Sequence, residues 1–117
     1  MNMNSWTGCG RLTRDAEFSH TTGKGTAMSK FRLAINSYRQ GEEQTMFMNI
    51  LCFGKLAENL NDKLLKGRLV AIKGPLKIDE YEDTEQNHRT SVCVMADEIS
   101  LGPPPSRITE RNDTGFQ

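Results

Sequence analysis

From Lys30 to Tyr38 the chain reads as two different faces folded into one segment. A strand sends successive side chains to opposite sides. Phe31, Leu33 and Ile35 therefore share a core face, while Lys30, Arg32, Asn36 and Tyr38 share the other. The run Met46–Phe53 repeats the contrast: Met46, Met48, Ile50 and Cys52 fall on one side, and Phe47, Asn49, Leu51 and Phe53 on the other. Upstream, Ser5–Leu12 is a strand candidate interrupted by Gly8 and Gly10, with Arg14–His20 continuing it after a bend. Residues 21–26 are a turn by composition, Ala27–Tyr38 a second strand, Arg39–Gln44 a polar hairpin loop and Thr45–Phe53 a third strand. The period changes after Gly54. Leu56, Ala57, Leu60, Leu64 and Leu65 recur at helical spacing, which predicts a helix over Lys55–Lys66 capped by Gly67. Arg68–Gly74 reads as a fourth strand, broken at Pro75 and resumed over Leu76–Tyr81. Glu82–Asn87 is an acidic loop, and His88–Leu101 a fifth strand with Val92 and Val94 on one side.

If the second and third strands pair, one sheet face carries cationic and amide groups beside three aromatic rings. Cations meet phosphates and rings stack on bases, as a single-stranded nucleic acid requires. The competing reading places Phe47 and Phe53 in a second core layer.

Composition narrows these choices. The 117 residues suffice for one domain with one core, and 36% hydrophobic content argues for a small barrel over a large helical core. Fifteen basic residues balance fifteen acidic ones, so strong non-specific adhesion to duplex DNA loses weight, although a local basic patch is still permitted. Cys9, Cys52 and Cys93 are odd in number and far apart, which supports neither a disulfide framework nor a zinc site. Cys52 and Cys93 lie in apolar runs and read as small buried hydrophobes. Reduced thiols, no apolar run of membrane-spanning length and no signal-peptide pattern together predict a cytoplasmic protein with no membrane contact. His20 and His88 are isolated, Asp15 and Glu17 read as turn chemistry, and Gly23-Lys24-Gly25 lacks phosphate-loop spacing. No nucleophile, base and electrophile assemble, so no enzyme, no metal and no cofactor is expected.

Three strands, a helix and two strands is the order of the OB-fold, a five-stranded Greek-key barrel. Local sequence sharpens the match. Gly10-Arg11-Leu12-Thr13-Arg14-Asp15, Phe31-Arg32-Leu33-Ala34-Ile35-Asn36, Phe53-Gly54-Lys55-Leu56-Ala57-Glu58-Asn59, Leu65-Lys66-Gly67, Lys73-Gly74-Pro75-Leu76 and Ala96-Asp97-Glu98-Ile99 resemble bacterial single-stranded DNA-binding proteins, in order and spacing. The resemblance implies an all-β fold with one short helix over residues 1–102 and a short disordered tail over 103–117. It implies base stacking on Tyr38, Phe47, Phe53 and Tyr81. Phosphate or polar contacts are expected from Arg11, Arg14, Lys30, Arg32, Asn49, Lys73 and Lys77. It further implies a non-enzymatic protein that coats single-stranded DNA in replication, recombination and repair. It implies a homo-oligomer as well, a tetramer in preference to a dimer, and the polar, glycine-broken first strand around Trp6 reads as an edge to pair across a subunit boundary. Two rival readings stand beside it: a primosomal replication protein of related fold, and an OB-fold module that holds a protein segment. The chain departs from the family twice. Asp79, Glu80, Glu82, Asp83 and Glu85 make the last hairpin acidic, and Asn112–Gln117 only weakly matches the family's acidic-aromatic terminal peptide, which leaves recruitment of replication and repair proteins open.

Overall fold

The computed structural model describes residues 2–23 and 25–103. The tail expected at 103–117 therefore lies, from residue 104 on, outside the described residues. The elements in chain order are β1 (Trp6–Leu12), β2 (Glu17–His20), β3 (Ala27–Arg39), β4 (Glu42–Phe53), α1 (Gly54–Leu60), β5 (Leu69–Gly74), β6 (Leu76–Glu82), β7 (His88–Met95) and β8 (Glu98–Leu101). One sheet runs in the order β6-β7-β4-β3-β1-β5-β8, with β2 paired to β3 beside it.

The two ends of that path belong to one bent hairpin. β5 continues into β6 at Pro75, and β7 into β8 through Ala96 and Asp97. The β6–β7 half pairs against β4, and the β5–β8 half against β1. The sheet thus curls back on itself, and the eight segments are the five expected strands with kinks. Gly74 sits at the kink because a Cβ there would run into the Met95 carbonyl oxygen. β4 and β7 pair in parallel, Asn49 against Cys93 and Leu51 against Met95, the one parallel pairing among the described strands.

The inward faces meet in one core of Leu12, Phe31, Leu33, Ile50, Leu64, Val70, Ile72 and Val94. Every inward residue expected on β3 is there, with Ile35 half-buried at the rim. A smaller cluster of Ala27, Cys52 and Ala57 seats α1 on β3 and β4.

Two expectations are corrected here. The helix ends at Leu60 and does not reach Lys66. Residues 61–66 leave it so that Leu64 can plug the core at 0% exposure while its carbonyl accepts the Ala16 N–H at 2.9 Å. Gly67 follows an irregular turn, not a helix. The hairpin loop is also shorter than the polar run 39–44. Gln40 and Gly41 both adopt positive φ, 54° and 81°, so a two-residue turn suffices and the flanking strands extend to Arg39 and from Glu42.

Candidate nucleic-acid interface

Register decides which outward side chains share a face. β3 and β4 pair Met28 with Phe53, Lys30 with Leu51, Arg32 with Asn49, Ala34 with Phe47 and Tyr38 with Glu43. Directly opposed residues project to the same side of a sheet. Lys30, Arg32, Asn36, Tyr38, Phe47, Asn49 and Phe53 therefore stand on one outer face, as alternation predicts. The face continues across β7 to β6: Asn49 lies beside Cys93, and Cys93 beside Lys77. Two residues on, Asp79 faces Ser91 and Tyr81 faces Arg89. On the other flank Arg11 is opposite Ala34.

The aromatic residues differ in availability. Tyr38 is 76% exposed, Tyr81 52% and Phe47 50%, each open to a flat ligand. Phe53 is half-buried where β4 meets α1, so its ring both packs and faces outward. The second-layer reading thus fails for Phe47 and holds in part for Phe53.

Arg32 couples the two kinds of contact. Its guanidinium carbon lies 4.5 Å from the centre of the Phe47 ring, a cation–π contact. A flat ligand over Phe47 would displace the guanidinium or stack on it, and a displaced guanidinium would be open to an anion beside the ring. Alongside, Thr13, Arg14, Asp15, Glu17, Lys30, Phe31, Arg32 and Asn49 line an open groove of about 470 Å³. The bend between β1 and β2 thus brings Arg14 to Lys30 and Arg32, which no periodicity in the sequence shows.

Other cations are occupied. Arg11 donates through Nη1 to the Gly67 carbonyl at 3.0 Å. Lys77 Nζ lies 3.8 Å from Asp79 Oδ2. Lys73 does not join the array: it sits on β5 opposite Thr7 and Glu98, with β1 between it and β3. Glu80, grouped in sequence with Asp79, belongs to the opposite face of the hairpin, where its carboxylate lies 3.4 Å from His88 Nε2.

Cysteines divide three ways. Cys52 is fully buried, and burial pushes its thiol up to about 11 against a partly offsetting backbone hydrogen bond from Ser29. Cys9 is exposed. Cys93 corrects the sequence reading: it is a half-buried member of the outer face, between Asn49 and Lys77. The alternation Arg89, Ser91, Cys93, Met95 against His88, Thr90, Val92, Val94 carried that signal. Among the described residues no cluster of metal-ligating side chains forms, and no helix is long and apolar enough to cross a membrane.

Comparison with known proteins identifies the family and the fold. Residues 3–101 match the model of the "Single-strand binding protein family". A Staphylococcus aureus protein named single-stranded DNA-binding protein 1 is 38% identical over 107 residues, which span 89% of this chain and 68% of that protein. A Clostridium tetani single-stranded DNA-binding protein is 34% identical over 94 residues, 79% of this chain and 65% of its own length. The fold is shared with a Plasmodium falciparum SSB solved in complex with ssDNA, at a TM-score of 0.78 and 20% identity, over 88% of this chain and 97% of that one. The chain belongs to the single-strand binding protein family.

Proposed function

We propose that this protein coats single-stranded DNA, stacking bases on Phe47, Tyr38 and Tyr81 while Lys30, Arg32 and Arg14 hold the phosphates. Phe53 contributes a partial surface. The observation that carries this reading is the half-exposed Phe47 ring on one outer face with Lys30, Arg32 and Asn49. Exposed rings and cations on one surface are the two components of single-strand binding. The action is stoichiometric and involves no catalysis. It keeps separated strands from re-annealing during replication, recombination and repair. Competition of labelled oligo-dT against unlabelled single-stranded and duplex DNA tests it. Single strands should compete far better, because paired bases cannot offer their faces to Phe47. Equal competition by duplex would sink the reading.

Homotetramer assembly in the cytoplasm belongs to the same proposal, with globular residues 1–102 as the DNA-binding unit. β1 supports it. On the β3 side only Arg11 and Leu12 have ladder partners among the described residues and Gly10 lies close against Ala34, which leaves the Trp6–Cys9 edge available to another strand. Sedimentation equilibrium at micromolar concentration decides: a strict monomer near 13.2 kDa refutes assembly, and a dimer favours the primosomal type of barrel.

A further inference from the structure

The groove beside Arg32 contains a feature that phosphate binding does not explain. Glu17 is the first residue of β2, and its register partner is Lys30, so its side chain leaves on the DNA-facing side. It lines the groove with Arg14, Lys30, Arg32 and Asn49. Among the described residues no hydrogen bond or ion pair reaches its carboxylate. The neighbouring acid is different. Asp15 accepts the Lys66 backbone N–H at 2.8 Å and thereby ties the β1–β2 bend to the loop after α1. Asp15 is structural, whereas Glu17 has no such partner among the described residues.

An exposed carboxylate on the path of a polyanion repels it, and a donor on the ligand that meets the carboxylate offsets that repulsion. The donors of single-stranded DNA are on its bases. Adenine and cytosine each offer one amino group, and thymine one ring N–H. Guanine offers a ring N–H and an adjacent amino group, side by side, which match the two oxygens of a carboxylate. Its other edge carries the O6 and N7 acceptors that Arg and Lys recognise. The groove supplies both halves, an acceptor at Glu17 and donors at Arg14, Lys30 and Arg32. Its volume of about 470 Å³ lies within the range of small-ligand sites.

We infer that this groove is a nucleobase subsite that prefers guanine, with Glu17 as the residue that reads it. The inference rests on the single-strand reading above. A base stacked at Phe47 then has its neighbour in the strand turned into the groove, and a sequence-tolerant stacking surface acquires one selective position.

The test uses short oligo-dT carrying one central substitution, measured by competition against labelled oligo-dT. An oligo with one dG should bind about five- to tenfold tighter than plain oligo-dT, the lower part of what a bidentate base contact discriminates. Replacing that dG by deoxyinosine, which lacks the amino group, should remove most of the gain. In Glu17→Gln the ratio of dG to dT affinity should fall to about one, while loss of a negative charge tightens binding to every oligo alike. The ratio is the readout, so the general electrostatic effect cancels. Equal affinity of the parent for dG and dT oligos overturns the subsite while leaving single-strand binding intact. A guanine preference that survives in Glu17→Gln, or inosine that matches guanine, overturns the role of Glu17. Failure to bind plain oligo-dT overturns the single-strand reading itself, and the subsite with it.

Discussion

Two hairpin arms leave the same end of the barrel, because β4 and β7 run parallel and both start at a hairpin tip. Each arm carries a tyrosine on its outer face near the tip, Tyr38 on β3–β4 and Tyr81 on β6–β7. Their charges are arranged in opposite ways. On the β3–β4 arm Lys30 has no ion-pair partner among the described residues, and Arg32 has only the Phe47 ring. On the β6–β7 arm Lys77 pairs with Asp79, Arg89 with Asp83 at 2.9 Å, and His88 lies against Glu80. The cations of the second arm are thus taken up by its own carboxylates, and Glu82 and Glu85 keep the arm net acidic. Surface pairs of this kind contribute little to stability, roughly 0–1 kcal/mol each, but they occupy the cations that a phosphate would use. Similar geometry therefore yields one arm whose cations are open to a phosphate and one whose cations are engaged by its own carboxylates.

The largest effect that would break this comparison is loss of a ring. Each base–aromatic stack is worth about 1–3 kcal/mol, so Phe47→Ala should weaken oligo-dT binding about five- to a hundredfold. The fold should survive, since half of the ring is already exposed. Tyr81→Ala should cost no more than about fivefold, because few phosphate contacts hold the strand against its arm. Binding titrations beside thermal melts separate the two. Equal losses from both variants would show that the arms bind alike.

These faces were legible in the sequence because strand alternation is a strict local rule. Phe31, Leu33 and Ile35 against Lys30, Arg32 and Tyr38 needed only a period of two and a pairing partner. Order along the chain likewise carried the barrel, since its kinks at Pro75 and Gly74 are marked by residue type. The helix end was not legible. Leu64 and Leu65 continue the helical period, and only tertiary demand, a core vacancy that Leu64 fills, stops the helix at Leu60. The groove was not legible either. Arg14 and Glu17 reach Lys30 and Arg32 through a bend whose angle no periodicity encodes. Ion pairing was missed for a similar reason: Asp83 and Arg89, six positions apart, meet only because a tight turn brings them together.

A charge swap sharpens the comparison with a smaller effect. Asp79 faces the groove side and Glu80 the opposite side. Asp79→Lys both adds a cation and releases Lys77. It should tighten binding several-fold at low salt and steepen the salt dependence by about 0.7 per additional phosphate neutralised, up to about two contacts. At high salt the gain should fade through screening. Glu80→Lys should leave the slope nearly unchanged. If neither variant moves the slope, DNA does not pass along this arm. If both move it equally, the face assignment fails.

The cysteines report the path without any mutation. Cys9 should react first with a thiol-specific reagent in the unassembled chain, where it is exposed. Cys52 should stay unreacted in the folded protein at neutral pH, since burial holds its thiol at about 11. Cys93 lies between Asn49 and Lys77, so bound oligo-dT should slow its labelling while leaving Cys9 unaffected. Mass spectrometry of digested, labelled protein reads all three. Slowing of Cys9 in place of Cys93 would move the DNA to the β1 side.

The smallest effect lies at the tip of the quieter arm. Asp83 accepts the backbone N–H groups of Asn87 and Glu85, each at 2.9 Å, and the Arg89 guanidinium. The Asn87 hydrogen bond and then Arg89 hold its carboxyl below its usual value of 3.8. A lowered carboxyl stabilises the turn at pH above its unfolded value, and that contribution is lost as pH falls through the lower folded value. The amide resonances of Glu85 and Asn87 should therefore shift together in acid, below the usual carboxylate range, while core amides such as Leu33 and Val70 hold. Asp83→Asn abolishes that transition at its source. It also frees Arg89, which shares a face with its register partner Tyr81. Binding at low salt should then tighten by about twofold, with one more phosphate contact in the slope. An unchanged slope in Asp83→Asn, set beside a steeper one in Asp79→Lys, would confine the DNA to the base of this arm and keep it from the tip.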